Sequence, residues 1–562
     1  MKNIVPLVVV SVLVLSGYSA NALSNHDKQG LKQSVFSEQY DMVVIAPDMF
    51  SVNLQPLINH KNNRDVQTIL KTTEDIYNEY SGRDNIEQIK YFIKDAKENW
   101  NITYVLLVGG AMLLPARYTH IYYDYYYQDE WVFLSDLYYA DLYDQNGDFS
   151  SWDTNENDVF GEFNWGPQHQ YDDVDLYPDV YLGRLACINQ NELITCINKI
   201  ISYETEQAYL QPWFNDLVVI GGDSLPGDPQ QIDEGEYVNE GVITSMDGFL
   251  PKKIWASNGA LYNAENIQDA INAGAGFVFF NGHGNLRTWA THPHESNEWI
   301  PPGSYTNSYL NALSNSNKLP IVVSDACYHC TYDVAPDCFG WTFVTNPNGG
   351  CIGFLGSTDV DVSYPGVDII TKGIEKLCMV MSENYMQGDL TFGELWGHGL
   401  YDYLATADMD EMDLITVEEF QPFGDPSLAI ASDSQAPLPP EDLNGPTSGK
   451  INEEHTYTAS TTDPEEDDIY YLFDWGDGEF SGWVGPYDSG NTGLATHIWT
   501  EEGDYEIRVK AKDDHGIQSE WSDPFPVSMP KDQSVLFNSN VCRWLIKLFP
   551  NLFPILKHLI LQ

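Results

Sequence analysis

The stretch GFVFFNGHGN, residues 276–285, decides the fold of this chain together with LPIVVSDACYHC, residues 319–330. Each stretch is a short apolar run that ends abruptly in small and reactive residues. Apolar runs bounded by breakers are typical of buried parallel strands. In an open α/β sheet, functional groups lie beyond the carboxyl ends of the strands. The pattern therefore predicts that His283 and Cys327 meet at one edge of a sheet.

A thiol and an imidazole at neighbouring strand ends are the minimum parts of a cysteine nucleophile and its base. We expect Cys327 to attack a carbonyl carbon as the thiolate, while His283 holds and returns the proton. The backbone amides of Gly284 and Cys327 are the predicted donors to the oxyanion. Asp223 follows another predicted strand and is the predicted carboxylate that orients the imidazole. The alternative for each residue is a purely structural role.

Strands and helices alternate along the first three quarters of the chain. This alternation predicts an α/β fold in which helices flank a parallel sheet. We place this domain at residues 41–432. The predicted strands are residues 42–46, 104–108, 217–220, 277–280, 321–323 and 351–355, and the predicted helices include residues 85–100 and 192–203.

A proline-rich linker, residues 436–440, separates this domain from a region of a different kind. Short strands alternate there with turns, at residues 456–459, 470–475, 496–499 and 505–511. This spacing is typical of a small all-β sandwich, which we place at residues 436–530. The turn Asp474-Trp-Gly-Asp-Gly478 resembles the PKD type of immunoglobulin-like domain, and that resemblance implies a spacer or adhesion module.

The composition and the two ends of the chain indicate which partners and which cellular location to expect for the protein. The 562 residues carry a formal net charge of −56, and so acidic a protein repels nucleic acid. Residues 1–22 have a basic start, an apolar core and an Ala-Asn-Ala site, which predicts a signal peptide and a secreted protein. A short lead, residues 23–40, follows it. The apolar and basic tail, residues 531–562, predicts association with a partner or a membrane surface at the cell exterior, or packing on the β domain.

Residues 118–170 are rich in tyrosine, tryptophan, aspartate and asparagine, without a regular period. We expect a long functional or metal-ordered loop there. Asp153, Asn155, Asn157 and Glu162 place oxygen side chains at a spacing close to that of calcium loops, although no glycine stands at the sixth position. The alternative is a polar loop whose side chains cap turns.

Five short motifs, in order, resemble gingipain-type cysteine peptidases over roughly residues 41–432. The motifs are ITYVLLVG (102–109), NGHG (281–284), NSNKLP (315–320), DAC (325–327) and FGDPSL (423–428). The resemblance implies a caspase-like fold, endopeptidase activity on protein or peptide substrates, structural calcium and no organic cofactor. It also implies that His283 is the catalytic histidine, Cys327 the nucleophile and Asp223 the acid that supports the histidine.

The resemblance also bears on substrate specificity. In arginine-cleaving members of the family, an acidic side chain reaches into the S1 pocket. Glu236 stands near the corresponding position of this sequence, and Glu234 and Asp233 are the alternative candidates. An acidic pocket selects arginine or lysine by charge-assisted hydrogen bonds.

Two other functions remain open from the residues. Cys327-x-x-Cys330 and the neighbouring histidines have donors suited to a zinc or redox site, although a second paired motif is missing. A disulfide between Cys327 and Cys330 would silence the nucleophile until it is reduced. The other alternative is a non-catalytic adhesion protein at the cell surface.

Overall fold

A computed structural model describes residues 39–530, except 124–128, 165–170, 362, 407–410, 432–435, 442 and 514–516. The predicted signal peptide, most of the lead that follows it and the apolar tail lie outside the described residues. Among the helices that are described, none combines the length and the apolar character needed to span a bilayer.

Sixteen strands precede the linker in the described part of the chain. In chain order they are β1 (Met42–Ala46), β2 (Thr68–Thr72), β3 (Tyr104–Val108), β4 (Arg117–Tyr123), β5 (Asp129–Ser135), β6 (Phe163–Asn164), β7 (Tyr181–Leu185), β8 (Asp216–Gly221), β9 (Leu250–Trp255), β10 (Phe277–Asn281), β11 (His283–Asn285), β12 (Thr288–Thr291), β13 (Ile300–Thr306), β14 (Ile321–Asp325), β15 (Gly353–Ser357) and β16 (Phe420–Phe423).

Ten of these strands form one sheet in the order β2-β1-β3-β7-β16-β15-β14-β10-β8-β9. Every adjacent pair is parallel except β15 and β16. The sheet therefore consists of two parallel halves that run in opposite directions and meet at that antiparallel pair. β1, β10 and β14 are buried over their whole length, as their continuous apolar sequences predict. The predicted α/β fold is confirmed, whereas the reversal between the halves was not foreseen.

Helices flank this sheet, as the alternation predicts. They are α1 (Ser51–Asn62), α2 (Thr73–Glu79), α3 (Asn85–Trp100), α4 (Gln190–Thr205), α5 (Glu234–Ser245), α6 (Ala264–Ala273), α7 (Asn307–Asn311), α8 (Phe339–Thr345), α9 (Gly373–Gln387), α10 (Phe392–Thr406) and α11 (Glu411–Glu419). Local sequence accounts for the bounds of α3. The Asp84 side chain accepts a hydrogen bond from the amide of Glu87 at its start, and Asn101 ends it in the left-handed conformation.

The long segment predicted as an irregular loop contains a small sheet instead. β4 and β5 pair as antiparallel neighbours from Arg117 opposite Ser135 to Tyr123 opposite Asp129, and β6 adds to β4 in parallel. Its many aromatic and β-branched residues favour strands over loop. The expectation of a loop was therefore wrong for residues 118–123 and 129–135.

The region after the linker is all-β, as predicted. Its strands are β17 (His455–Ala459), β18 (Ile469–Asp474), β19 (Val484–Tyr487), β20 (Gly493–His497), β21 (Gly503–Lys512) and β22 (Phe525–Met529). β17 pairs with β20, and β19-β18-β21-β22 form a second antiparallel sheet. Trp475 and Trp499 are buried in the core between them, and the Trp475 ring stacks on His497 at 4.9 Å.

Candidate active site

The two strands quoted first lie side by side. β10 and β14 are parallel neighbours, with Phe277 opposite Ile321 and Asn281 opposite Asp325. The backbone amide of Gly282 still donates to the carbonyl of Asp325 at 3.2 Å, one residue beyond the end of β10. His283 and Cys327 each stand two residues beyond the end of these strands. The carboxyl ends of β10 and β14 therefore bring the imidazole and the thiol to one edge of the sheet.

Gly284 lies directly against the turn that carries the thiol. A Cβ atom at this position would sit 2.3 Å from the carbonyl oxygen of Cys327 and 2.9 Å from the Cβ of Ala326. No side chain fits in that space, so only glycine allows the two backbones to approach this closely. The backbone of Gly284 therefore lies close to the Cys327 carbonyl, and the role of the two amides as oxyanion donors stays a prediction.

His283 is held by a backbone carbonyl group. Its Nε2 donates to the carbonyl oxygen of Ser224 at 2.6 Å, and the Trp299 and His292 rings lie 5.3 and 5.5 Å from its own. Burial lowers the pKa of His283 below its ordinary value, although the Ser224 hydrogen bond opposes this effect. The imidazole is therefore neutral at neutral pH and can accept a proton.

Asp223 does lie beyond the end of β8, as predicted, but its carboxylate makes other contacts. One oxygen accepts from the amide of Leu225 at 3.1 Å and the other from the amide of Glu295 at 2.7 Å. Burial, together with the nearby Glu234 carboxylate, raises the pKa of Asp223 to about 7. The carboxylate thus shapes the turn whose Ser224 carbonyl holds the imidazole. A direct role of Asp223 in orienting His283 stays a prediction.

Cys327 follows β14 in a turn and is partly buried. Its thiol donates to the carbonyl oxygen of Asp361 at a sulfur–oxygen distance of 3.7 Å. Burial first, and then the carboxylates of Asp361 and Glu419, raise the pKa of this thiol well above its ordinary value. At neutral pH the thiol and the imidazole are therefore both neutral, and each donates to a backbone carbonyl group.

A cavity of about 490 Å³ opens beside the imidazole. Its lining includes His283, His292, Trp299, Pro365 and the turn formed by residues 224–229. A cavity of this size next to the imidazole is large enough to hold one long side chain of a ligand.

Glu236, the predicted specificity acid, is not part of the lining of that cavity. Its carboxylate accepts from the amide of Ser257 at 2.8 Å and from the Ser257 hydroxyl at 2.5 Å. Residues two apart on a helix point about 200° away from each other, so Glu234 faces the opposite direction. The structure does not bring Glu236 to the imidazole.

Glu234 does lie beside the cavity. Its carboxylate is buried and accepts from the amides of Ser224 and Leu225, both at 3.2 Å, and of Gly366 at 3.0 Å. Ser224 and Leu225 line the cavity, which places the Glu234 charge directly behind its wall. The Glu234 carboxylate therefore contacts two residues of the cavity wall, and a role for any of the three acids in substrate binding stays a prediction.

The side chains proposed as donors of a zinc or redox site are buried or hydrogen-bonded to other groups. Cys330 is completely buried, and both it and Cys327 are free thiols. The two ring nitrogens of His329 contact the Ser324 hydroxyl at 2.8 Å and the Thr288 carbonyl at 3.1 Å. Burial lowers the pKa of His329 to about 3, so the ring serves as a neutral structural group. Among the described residues, none of the side-chain clusters with a geometry that could hold a metal ion includes a cysteine.

The predicted calcium loop is held together by its own hydrogen bonds. Arg83 pairs with the Asp153 carboxylate at 2.5 Å, and the amides of Asn157 and Asp158 donate to the same carboxylate. The Glu162 carboxylate accepts from the side-chain amides of Asn155 and Asn157, at 2.9 and 2.7 Å. These contacts fit the alternative of a turn-capping network, and a cation at this place would have to displace Arg83. Calcium binding by the loop stays a prediction.

Sequence reasoning missed three contributors to the site: the Ser224 carbonyl, the carbonyl of Asp361 and the Trp299 ring. Ser224 directly follows Asp223, so its position at a strand end was a usable signal. Asp361 lies four residues beyond the end of β15. Trp299 lies in a connection between short strands, and no local pattern connects it to the imidazole.

An α/β sheet that presents a thiol and an imidazole at one edge has the arrangement of a cysteine hydrolase. The chain belongs to peptidase family C25, whose family model matches residues 36–431. The model of the PKD domain matches residues 443–523. The resemblance to gingipain-type peptidases and to the PKD domain is therefore confirmed.

Curated relatives and solved structures agree with this assignment. Gingipain R2 of Porphyromonas gingivalis is 23% identical over 398 residues, which is 69% of this chain and 46% of that protein. Lys-gingipain of the same organism is 24% identical over 200 residues, 35% of this chain and 10% of that protein. The chain thus spans less than half the length of these relatives.

Among solved structures, the Arg-specific cysteine proteinase gingipain R matches with a TM-score of 0.51 and 19% identity, over 88% of this chain and 98% of that one. Another structure, described as a protease, matches with a TM-score of 0.51 and 15% identity, over 87% of this chain and 97% of that one. At these identities the likeness shows the fold.

Proposed function

We propose that this protein is a secreted cysteine endopeptidase in which Cys327 is the nucleophile and His283 the general base. The observation that carries the proposal is the parallel pairing of β10 and β14, because His283 and Cys327 each stand two residues beyond the end of one of these strands. The contact between Gly284 and the carbonyl of Cys327 supports it, because it fixes the separation of the two turns.

The reaction follows from these positions. His283 takes the thiol proton, and the thiolate of Cys327 adds to the carbonyl carbon of the scissile peptide bond. The amides of Gly284 and Cys327 donate to the oxyanion that forms, a contribution of about 3 kcal/mol per donor. The imidazolium then protonates the leaving amine as the C–N bond breaks. Water, deprotonated by the same imidazole, hydrolyses the thioester and restores the thiol.

A preference for arginine or lysine at P1 is the finer part of the proposal. Glu234 supports it, because its carboxylate lies behind the wall of the cavity beside His283. The names of the relatives, an Arg-specific proteinase and a Lys-gingipain, are consistent with a basic P1 residue. A buried carboxylate attracts a guanidinium or ammonium group more strongly than an exposed one, since water screens it less.

Location and metal content complete the proposal. The signal sequence predicted at residues 1–22 directs the protein out of the cytoplasm, and the β domain and tail associate it with a surface. Structural calcium at the loop of Asp153, Asn155, Asn157 and Glu162 is retained as a proposal. Loss of bound calcium in a Glu162→Gln variant, measured by calorimetry, tests it.

The decisive experiment is cleavage of a peptide library by the reduced protein, compared with Cys327→Ala and His283→Ala variants. Both variants are expected to lose activity by several orders of magnitude, because the two residues act as one unit. Cys330→Ala is the matched control, since this thiol is buried and free, and we expect it to retain activity. Undiminished cleavage by Cys327→Ala or His283→Ala would overturn the assignment, and inactivity of a folded wild-type protein would favour an adhesion role.

A further inference from the structure

His292 lines the cavity beside the imidazole but takes no part in the proton transfers between Cys327 and His283. It directly follows β12, and its backbone pairs with Asp223. The Asp223 amide donates to the His292 carbonyl at 3.0 Å, and the His292 amide donates to the Asp223 carbonyl at 3.1 Å. The next residue along the chain, Ser224, holds the His283 ring through its carbonyl. Both histidines are therefore fixed to one turn.

The hydrogen bond of the His292 ring identifies which of its nitrogens carries the hydrogen. Nδ1 lies 3.0 Å from the carbonyl oxygen of Glu298, and a carbonyl oxygen can only accept, so Nδ1 is the donor. In the neutral imidazole the other nitrogen, Nε2, is then an acceptor. The Trp299 ring packs against the imidazole with 4.0 Å between the ring centroids, which restricts its rotation. The acceptor of His292 therefore has a fixed orientation.

Nε2 of His292 has no hydrogen-bond partner among the described residues, and it is not one of the buried polar atoms that lack a partner. It therefore reaches open space at the cavity that His292 lines. The Asp228 carboxylate in the same lining is already bonded to three backbone amides, and the Ser224 hydroxyl can donate as well as accept. The remaining side chains of the lining are mostly apolar: Leu225, Pro226, Pro229, Trp299 and Pro365.

We propose that His292 is a specificity-determining residue whose Nε2 accepts a hydrogen bond from the substrate side chain bound in the cavity. An acceptor in a mostly apolar cavity selects side chains that end in a donor, the ammonium group of lysine or the guanidinium group of arginine. An apolar side chain of the same length is rejected, because the acceptor then loses its partner. This inference rests on the proposed peptidase function, and it adds a contact inside the cavity to the Glu234 charge behind its wall.

The test measures peptide binding to the full chain with Cys327→Ala, so that no peptide is cleaved. Two peptides that differ only at P1 are compared by titration calorimetry, one with lysine and one with norleucine, which has the carbon chain of lysine without the ammonium group. The lysine peptide is expected to bind more tightly. His292→Asn keeps a donor near the position of Nδ1 but removes the acceptor from the cavity. It should reduce the ratio of the two dissociation constants by about tenfold, the effect of losing one hydrogen bond to a charged group.

His292→Gln places its amide oxygen near the position of Nε2 and should restore most of the preference. His294→Asn is the matched control, because His294 is half exposed, pairs with Asp233 and does not line the cavity. It should keep the full preference. Circular dichroism verifies that each variant is folded.

An unchanged ratio in His292→Asn would overturn the proposal, and so would equal binding of the two peptides before His292 is changed. A His292→Gln variant as impaired as His292→Asn would assign the effect to packing alone, which also overturns it. The binding assay needs no catalysis. A lysine preference in a chain that cleaves no peptide, when Cys327 is present, would therefore refute only the peptidase assignment. Cleavage with an unchanged lysine preference in His292→Asn would refute only the role of His292.

Discussion

Gly284 and Cys327 touch through their backbones: a Cβ added to Gly284 would lie 2.3 Å from the Cys327 carbonyl oxygen. This contact joins the end of the strand that carries the imidazole to the turn that carries the thiol. The distance between the proposed base and the proposed nucleophile therefore depends on the absence of a side chain at one position.

Substitution of this glycine is the first prediction. Gly284→Ala must push the two turns apart, and we expect kcat/KM for peptide cleavage to fall by about 100-fold, the effect of a displacement of about 1 Å in an active site. Gly241→Ala is the control, because the three nearest neighbours of its Cβ are all atoms of the flexible Met379 side chain. Activity of Gly284→Ala close to that of the control would contradict the role assigned to this contact.

The second prediction concerns pH. Because burial lowers the pKa of His283, the imidazole stays neutral and active as a base below the ordinary value of about 6.5. The acid limb of kcat/KM should therefore lie below that pH, with activity lost as the pH falls through the His283 pKa. His292 lowers this pKa further and Glu234 raises it.

The Trp299 ring, 5.3 Å from the imidazole, helps to exclude water from it. Trp299→Ala should thus shift the acid limb toward higher pH, while Tyr262→Ala, at an exposed position that does not line the cavity, should leave it in place. The measurement is a pH–rate profile of the wild type and the two variants. An unshifted acid limb in Trp299→Ala would count against burial as the cause of the lowered His283 pKa.

The third prediction separates the two acids of α5. Glu234→Gln should reduce cleavage after arginine and lysine relative to cleavage after neutral residues, because the charge behind the cavity wall is removed. Glu236→Gln should leave the preference unchanged, since its carboxylate is bonded to Ser257. Kinetics on matched peptides that differ only at P1 give the answer. If only Glu236→Gln lost the preference for arginine and lysine, Glu236 would be the specificity acid, as the sequence suggested first.

The fourth prediction concerns β7, which pairs with β16 next to the place where the two halves of the sheet meet. Arg184 of β7 is completely buried, pairs with Asp136 through two nitrogens at 2.5 and 2.7 Å, and lies opposite Phe423 of β16. Arg184→Met leaves the buried Asp136 carboxylate without its cationic partner, and should lower the free energy of unfolding by about 3–5 kcal/mol.

Arg508→Met removes an exposed contact with Glu506 at 3.9 Å, and should change the stability by about 0–1 kcal/mol. Urea unfolding of the two variants provides the comparison. Equal stabilities would show that the Arg184 pair contributes no more than a surface contact.

Much of the fold could be read from short-range patterns. The bounds of α3 follow from its cap and its apolar periodicity, and β1 and β3 follow from apolar runs between breakers. The hairpin of β4 and β5 was missed, because this polar, aromatic segment has no regular hydrophobic period. Its strands are stabilised mainly by pairing with each other.

That a histidine and a cysteine follow two buried strands could be predicted from local sequence, because strand ends are encoded by neighbouring residues. The surroundings of these two residues depend on the tertiary structure. The reversal between β15 and β16 and the Ser224 carbonyl on the imidazole both join segments far apart in the chain. Such contacts depend on how whole elements pack, and no local periodicity records them.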